Sequence, residues 1–175
     1  MEHSVKMTVT LPKERFRHPF KIYGLAASDC PAFFPADIIE MDKTVHIRYS
    51  TAGYRPLAYC SNLGPVQTLM VLQAVIRNAE MACDWMWFPE EYVISCNTVW
   101  INSCGKVRML YIPDHSFRPY FRRLHSFLHE LKKAAEPSVH ILLQTIQNMI
   151  SERTMQTSKL LSEIDQLLAE VQSYL

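Results

Sequence analysis

The run GPVQTLMVLQAVIRNAEMACDW, from Gly64 to Trp85, narrows the folds open to this chain more than any other stretch. Leu69, Leu72, Ile76 and Ala79 recur at spacings of three and four, the period of a helix with one apolar face. Pro65 suits the first turn, where its missing N–H goes unused. A helix so apolar must be covered. Two segments of β character follow it: Tyr92 to Asn102, with a break expected near Cys96 and Asn97, and Lys106 to Ile112. Ser103-Cys104-Gly105 joins them, with Gly105 free to take a positive φ, and Pro113 closes the second strand. A long helix leading into a β-hairpin is the predicted centre of the fold.

The flanks are read by the same periodicities. Val5, Met7, Val9 and Leu11 alternate with Lys6, Thr8 and Thr10, which predicts a half-buried strand ending at Pro12. Pro19, Gly24, Pro31 and Pro35 punctuate the region from Arg17 onward, which predicts a loop with one short extended piece around Lys21 to Leu25. DIIEMDKTVHIRYS reads as a hairpin with Val45, Ile47 and Tyr49 on one face and Asp42-Lys43 in the turn. The last third is helical. Tyr120, Leu124, Phe127 and Leu131, widened by Phe121 and Leu128, make a stripe between Arg118 and Ala134. Pro137 opens a helix through Ile150, with Val139, Leu142, Leu143, Ile146 and Met149 inward. A final helix starts near Thr157, where Leu160, Ile164, Leu167, Val171 and Tyr174 form a stripe flanked by Leu161, Leu168 and Leu175.

Strands in the first two-thirds and helices in the last define an α+β protein. Its parts are N-terminal antiparallel strands, a central helix and β-hairpin, and C-terminal helices. Residues 1–150 form one domain, and 151–175 an amphipathic helix, packed on that domain or used for association. With 49% hydrophobic residues among 175, a single core is within reach. Eighteen basic against seventeen acidic residues give a net charge of +1, which supports no bulk attraction to nucleic acid or to an anionic membrane. Lys6, Lys13, Arg15, Arg17 and Lys21 form one basic patch, read as a solvated terminal strand and loop. Five cysteines without a CxxC spacing fit reduced thiols in a cytoplasmic protein rather than a zinc site or a disulfide framework. The amino terminus lacks the apolar run of a signal peptide, and no segment has the length of a membrane span.

The helix and hairpin match the frame around a protein-kinase catalytic loop, H-R-D-x-x-x-x-N, which is followed by a hairpin and D-F-G. At that register the loop reads EYVISCNT: Val93 stands where the base belongs and Thr98 where a magnesium ligand belongs. Tyr111-Ile112-Pro113 replaces D-F-G. The chain has only four glycines, no glycine-rich loop, and no lysine in a V-A-I-K context. The frame is a degenerate, pseudokinase-like one with no means of stabilising a phosphoryl-transfer transition state. The stretch DWMWFPEEYVISCNTVWINSCGKVRMLYIPD, with PEEYVI, YIPD and the upstream VHIRYSTAGYRPL, resembles an uncharacterised Gram-positive bacterial domain family often found N-terminal to forkhead-associated domains. More distantly it is similar to the pseudokinase domain of a membrane subunit of type VII secretion. The resemblance implies a forkhead-associated protein as partner and a role in signalling or secretion.

Other polar groupings carry less. His125 and His129 lie four apart on a helix, as two metal ligands would, but the following Glu130 is misplaced for H-E-x-x-H and no third ligand is evident. Asp114 and His115 read as capping residues rather than a catalytic pair. Cys83 and Cys96 read as small buried residues. No catalytic residue, cofactor site or metal site is assigned. Trp85, Trp87 and Phe88 form an aromatic knot, and the two-residue spacing predicts an extended segment with both indoles on one side. The candidate interaction surface is Trp85 and Trp87 with Leu160, Ile164, Leu167, Val171 and Tyr174. The leading reading is a non-catalytic interaction or regulatory module with a protein partner, either a forkhead-associated protein or a second copy paired through the C-terminal helix. The alternatives are an unrelated enzyme with a His/Cys site and a structural dimerisation protein.

Overall fold

The central helix forms as its apolar period requires, from Pro65 to Asp84 (α2), and the hairpin follows as Val99–Asn102 (β5) and Val107–Met109 (β6). Gly105, at φ 77°, makes the turn. These elements belong to a computed structural model that describes residues 6–16, 20–27, 29–116, 118–152 and 154–173. Val5, Arg17, Pro19, Tyr174 and Leu175 lie outside the described residues. The other elements are Lys6–Pro12 (β1), Phe20–Ala27 (α1), Ala36–Glu40 (β2), Thr44–Ser50 (β3), Tyr54–Pro56 (β4), Tyr120–Ala134 (α3), His140–Ile150 (α4) and Thr157–Ser173 (α5).

Two antiparallel three-stranded sheets result, ordered β1-β3-β2 and β4-β5-β6. In the first, β3 is central and alternates as its sequence predicts. Val45, Ile47 and Tyr49 are fully buried, and Ile47 lies opposite both Val9 and Ile38. In the second, β5 is central, with Trp100 between Pro56 and Arg108. The apolar face of α2 (Leu69, Leu72, Val75, Ile76, Ala79) has no exposed surface. Helix α5 lies along α2, burying Leu160 and Ile164 completely and leaving Leu167 and Val171 half-buried. Asp165 on its outer side pairs with Arg77 at 3.5 Å and accepts a hydrogen bond from Gln73. Among the described residues, no helix is long and apolar enough to cross a membrane.

The structure corrects the sequence reading in four places. The stretch around Lys21 to Leu25 is helical, not extended. Gly24, read as a break, sits inside α1 where the Trp87 indole lies against the helix; a Cβ there would meet Trp87 Cζ2 at 3.4 Å. The strand expected over Tyr92 to Asn102 breaks where expected, at a hydrogen-bonded turn over Ser95–Thr98, but no strand precedes the break: only Val99–Asn102 is strand, and Tyr92 makes an isolated bridge to Pro113. Strand β4 was not anticipated: three residues, one of them Pro56, form an edge strand, where a missing N–H is tolerated. Of the basic patch, read as a solvated strand and loop, Lys6 and Lys13 do lie at the surface, each in an ion pair, with Asp37 at 3.0 Å and with Glu40 at 3.1 Å. Lys21 departs from that reading and is buried.

Because Leu160 and Ile164 are sealed against α2, truncating either to Ala should cost about 2–4 kcal/mol. Urea unfolding of each variant should show one transition with a lowered midpoint. A wild-type midpoint would mean that α5 contributes nothing to the core.

Candidate functional site

The end of α2 sets the geometry of the aromatic knot. Trp85 N–H donates to the Ala82 carbonyl at 3.0 Å, Met86 N–H to Cys83 at 2.9 Å, and Trp87 N–H back to Ala82 at 2.9 Å. Met86 takes a left-handed φ of 64°, a conformation in which a helix end more often carries glycine. The chain therefore doubles back instead of running extended, and the two indoles part. Trp87 is 4% exposed, whereas Trp85 remains 44% exposed.

Trp87 enters an aromatic cluster between the two sheets. Its ring lies 4.5 Å from Tyr111 and 6.0 Å from Phe33, and Phe33 meets Tyr92 at 5.1 Å and Tyr111 at 5.6 Å, all edge to face. Such contacts add to the area each ring buries. Phe34 extends the cluster to Tyr54 and Trp100, at 5.0 and 5.8 Å. The backbone closes the same seam. Met109 N–H donates to the Ala32 carbonyl at 2.9 Å and Phe34 N–H to the Met109 carbonyl at 3.0 Å, a parallel bridge between the α1–β2 connection and β6. The Tyr49 hydroxyl donates to the Tyr111 carbonyl at 2.5 Å. Burial pushes the Tyr49 hydroxyl well above the ordinary tyrosine range and raises Tyr111 too, so both rings stay neutral.

The positions that would carry kinase chemistry perform structural work. Thr98, buried, accepts from Ser95 N–H at 3.0 Å and donates to the Val93 carbonyl at 3.1 Å, holding the turn before β5. Val93 N–H donates to the Ile112 carbonyl at 2.8 Å. The helical turn Pro89–Glu91 is gripped by two buried cations, Lys21, read from the sequence as part of a solvated basic patch, and Arg123, which the sequence did not single out. From α1, the Lys21 ammonium pairs with Glu91, donates to the Met86 carbonyl at 2.8 Å, and stands 5.6 Å from the Trp87 ring and 5.4 Å from Phe88. From α3, Arg123 donates to the Glu90 carbonyl at 2.8 Å and to Asp114 at 2.5 Å. Burial alone would raise the Asp114 carboxyl. The Ser116 N–H at 2.9 Å, the Arg123 guanidinium and the Ser116 hydroxyl outweigh burial and hold it down to about 2. Asp114 thus organises the turn before α3.

The remaining candidates do not converge. His125 and His129 point outward from α3, and among the described residues no group of three or more His, Cys, Asp or Glu side chains is placed to hold a metal ion. Burial pushes the Cys96 thiol up to about 12 and raises Cys83 and Cys30, the reverse of what activates a nucleophile. Of the candidate interaction residues, Trp87, Leu160 and Ile164 are buried, Leu167 and Val171 half-buried, and Trp85 exposed. Trp85 borders a shallow groove lined also by Phe20, Gly24, Met86 and Trp87, with Phe20 and Met86 more than 60% exposed. No periodicity could have shown this groove, because Phe20 and Met86 meet only through the turn after α2.

By sequence, the chain matches no described protein family and no curated protein. By structure it is similar to a divergent kinase from Toxoplasma that lacks the glycine-rich loop and regulates membrane ultrastructure of the parasitophorous vacuole. That likeness has a TM-score of 0.61 at 12% identity, over 95% of this chain and 72% of the other. It is also similar to the cytoplasmic fragment of EssB from Staphylococcus aureus, with a TM-score of 0.52 at 15% identity, over 96% of this chain and 99% of that fragment. The α+β fold is thus kinase-like, in agreement with the frame read from the helix and hairpin.

The carboxyl of Asp114 ionises near 2 when folded and near 3.8 when unfolded, so its contribution is complete above about pH 5 and is lost as pH falls through 3.8 toward 2. Asp114→Asn should destabilise the protein by about 2 kcal/mol at neutral pH, since it leaves the Arg123 guanidinium buried without its counter-ion. Denaturation midpoints of variant and wild type should converge near the acid end of that window. A gap that persists unchanged there would refute the assignment.

Proposed function

We propose that this chain is a non-catalytic interaction or regulatory module on a pseudokinase frame. The observation that carries the reading is the seam between the sheets. Phe33, Trp87, Tyr92 and Tyr111 fill it, and two backbone hydrogen bonds close it, Met109 N–H to the Ala32 carbonyl and Phe34 N–H to the Met109 carbonyl. Phosphoryl transfer needs metal ligands, a phosphate clamp and a base at such a place. Here Thr98 and Tyr111 are buried and committed to the fold. The exposed rim of Phe20, Trp85 and Met86 is the surface we assign to a protein partner. The likeness to the EssB cytoplasmic fragment and the sequence resemblance to domains beside forkhead-associated modules support a cytoplasmic setting in secretion or phosphothreonine signalling, with a forkhead-associated protein as one such partner.

A second copy of the chain is the rival partner, favoured by the outer flank of α5, where Leu161, Leu167, Leu168 and Val171 are only half covered. Sedimentation velocity separates the two. A concentration-independent monomer removes self-association, and a dimer abolished by Leu168→Glu establishes it.

Calorimetric titration with ATP, with and without magnesium, tests the non-catalytic reading itself. The expected result is no saturable heat in either case. Magnesium-dependent ATP binding would overturn it.

A further inference from the structure

A second concave surface lies away from the aromatic rim, between α3 and the end of α4. It has a volume of about 660 Å³ and is lined by Arg118, Phe121, Arg122, His125, Ile150 and the hydroxyl-bearing Ser126 and Ser151. Its walls are fixed. Buried Gln147 on α4 donates to the His125 carbonyl on α3 at 3.3 Å, and α3 is anchored below by Arg123, which donates to the Arg118 carbonyl at 3.2 Å.

The charges on this surface are of one sign. Among the described residues, Arg118 and Arg122, exposed and four residues apart, form no ion pair and no carboxylate lines the groove. Arg123, the next residue, is turned inward and neutralised by Asp114. The two serine hydroxyls are spent as donors, Ser126 to the Arg122 carbonyl at 3.1 Å and Ser151 to the Gln147 carbonyl at 2.9 Å. The charged donors left are the guanidiniums, whose planar fork suits carboxylates, with the exposed His125 imidazole beside them as a further ring donor. Between them the floor is apolar, with Phe121 half-buried and Ile150 5% exposed. Apolar residues that insert into a lipid surface project outward. These are recessed, which fits a side chain entering from a peptide.

We propose that this groove binds an acidic peptide segment of a partner protein, Arg118 and Arg122 pairing with its carboxylates while Phe121 and Ile150 receive an apolar side chain. The proposal rests on the interaction-module reading and specifies the chemistry of a partner.

The test is fluorescence anisotropy at low salt with the full chain and a labelled peptide of repeating Glu-Glu-Leu, beside its Gln-Gln-Leu counterpart. Saturable binding of the acidic peptide is expected, with no binding of the Gln peptide and at least a roughly tenfold loss in the Arg118→Glu/Arg122→Glu variant. Both arginines are exposed, so the variant should keep the wild-type melting temperature; if it does not fold, the contrast between the two peptides on the wild-type chain decides. Absence of saturable binding, or equal binding of both peptides or by the folded variant, overturns the proposal. So does binding to phosphatidylserine vesicles without binding to the peptide. A negative result here leaves the ATP titration untouched, so failure of this groove and failure of the non-catalytic reading are told apart.

Discussion

Met109 accepts and donates one backbone hydrogen bond each with Phe34 and Ala32, and the rest of the arrangement follows from that pair. It ties the connection between α1 and β2 to the returning strand of the central hairpin. Phe33 is thereby placed on Tyr92 and Tyr111, and Phe34 on Tyr54 and Trp100. Buried backbone groups need partners, and a seam between two sheets offers few. The aromatic rings exclude water from the bonds, and the bonds hold the rings in register.

Around that seam, two buried cations grip one short turn. Lys21 and Arg123 come from two different helices, one reaching the Glu91 carboxylate and the other the Glu90 carbonyl. Buried ion pairs of this kind add little net stability over apolar packing, because desolvation offsets the attraction. Their value here is positional: the turn just before Val93, which stands where a kinase carries its base, is pinned to both α1 and α3.

What was legible in the sequence is what local period determines. The apolar faces of α2, α3 and α4 and the alternation of β3 emerge from residues that meet their own neighbours in sequence. The frame of helix and hairpin, and the vacated positions Val93, Thr98 and Tyr111, were readable for the same reason. What was not legible depends on distant partners. Helix α1 carries Gly24 and a lysine, and it is stabilised by Trp87 and Glu91, which lie far along the chain. Lys21 therefore counted as a surface charge, and Trp85 and Trp87 as a matched pair, until the left-handed Met86 separated them. The groove at Arg118 and Arg122 was equally hidden, since its second wall is the end of α4.

The parallel bridge between Phe33 and Met109 bears on how the chain reaches this structure. A contact between residues so distant in sequence is entropically costly to close and is rewarded only once both sheets exist. The hairpin β5–β6 and helix α2 can assemble from neighbouring residues, but β6 keeps one edge unpaired until the Ala32–Phe34 connection arrives. Nearby elements are thus free to form early, while the seam is completed late and makes the two sheets unfold as one cooperative unit. Removing the Ala32–Phe34 connection along with the first sheet would leave the edge of β6 uncovered and expose the surface through which sheets aggregate.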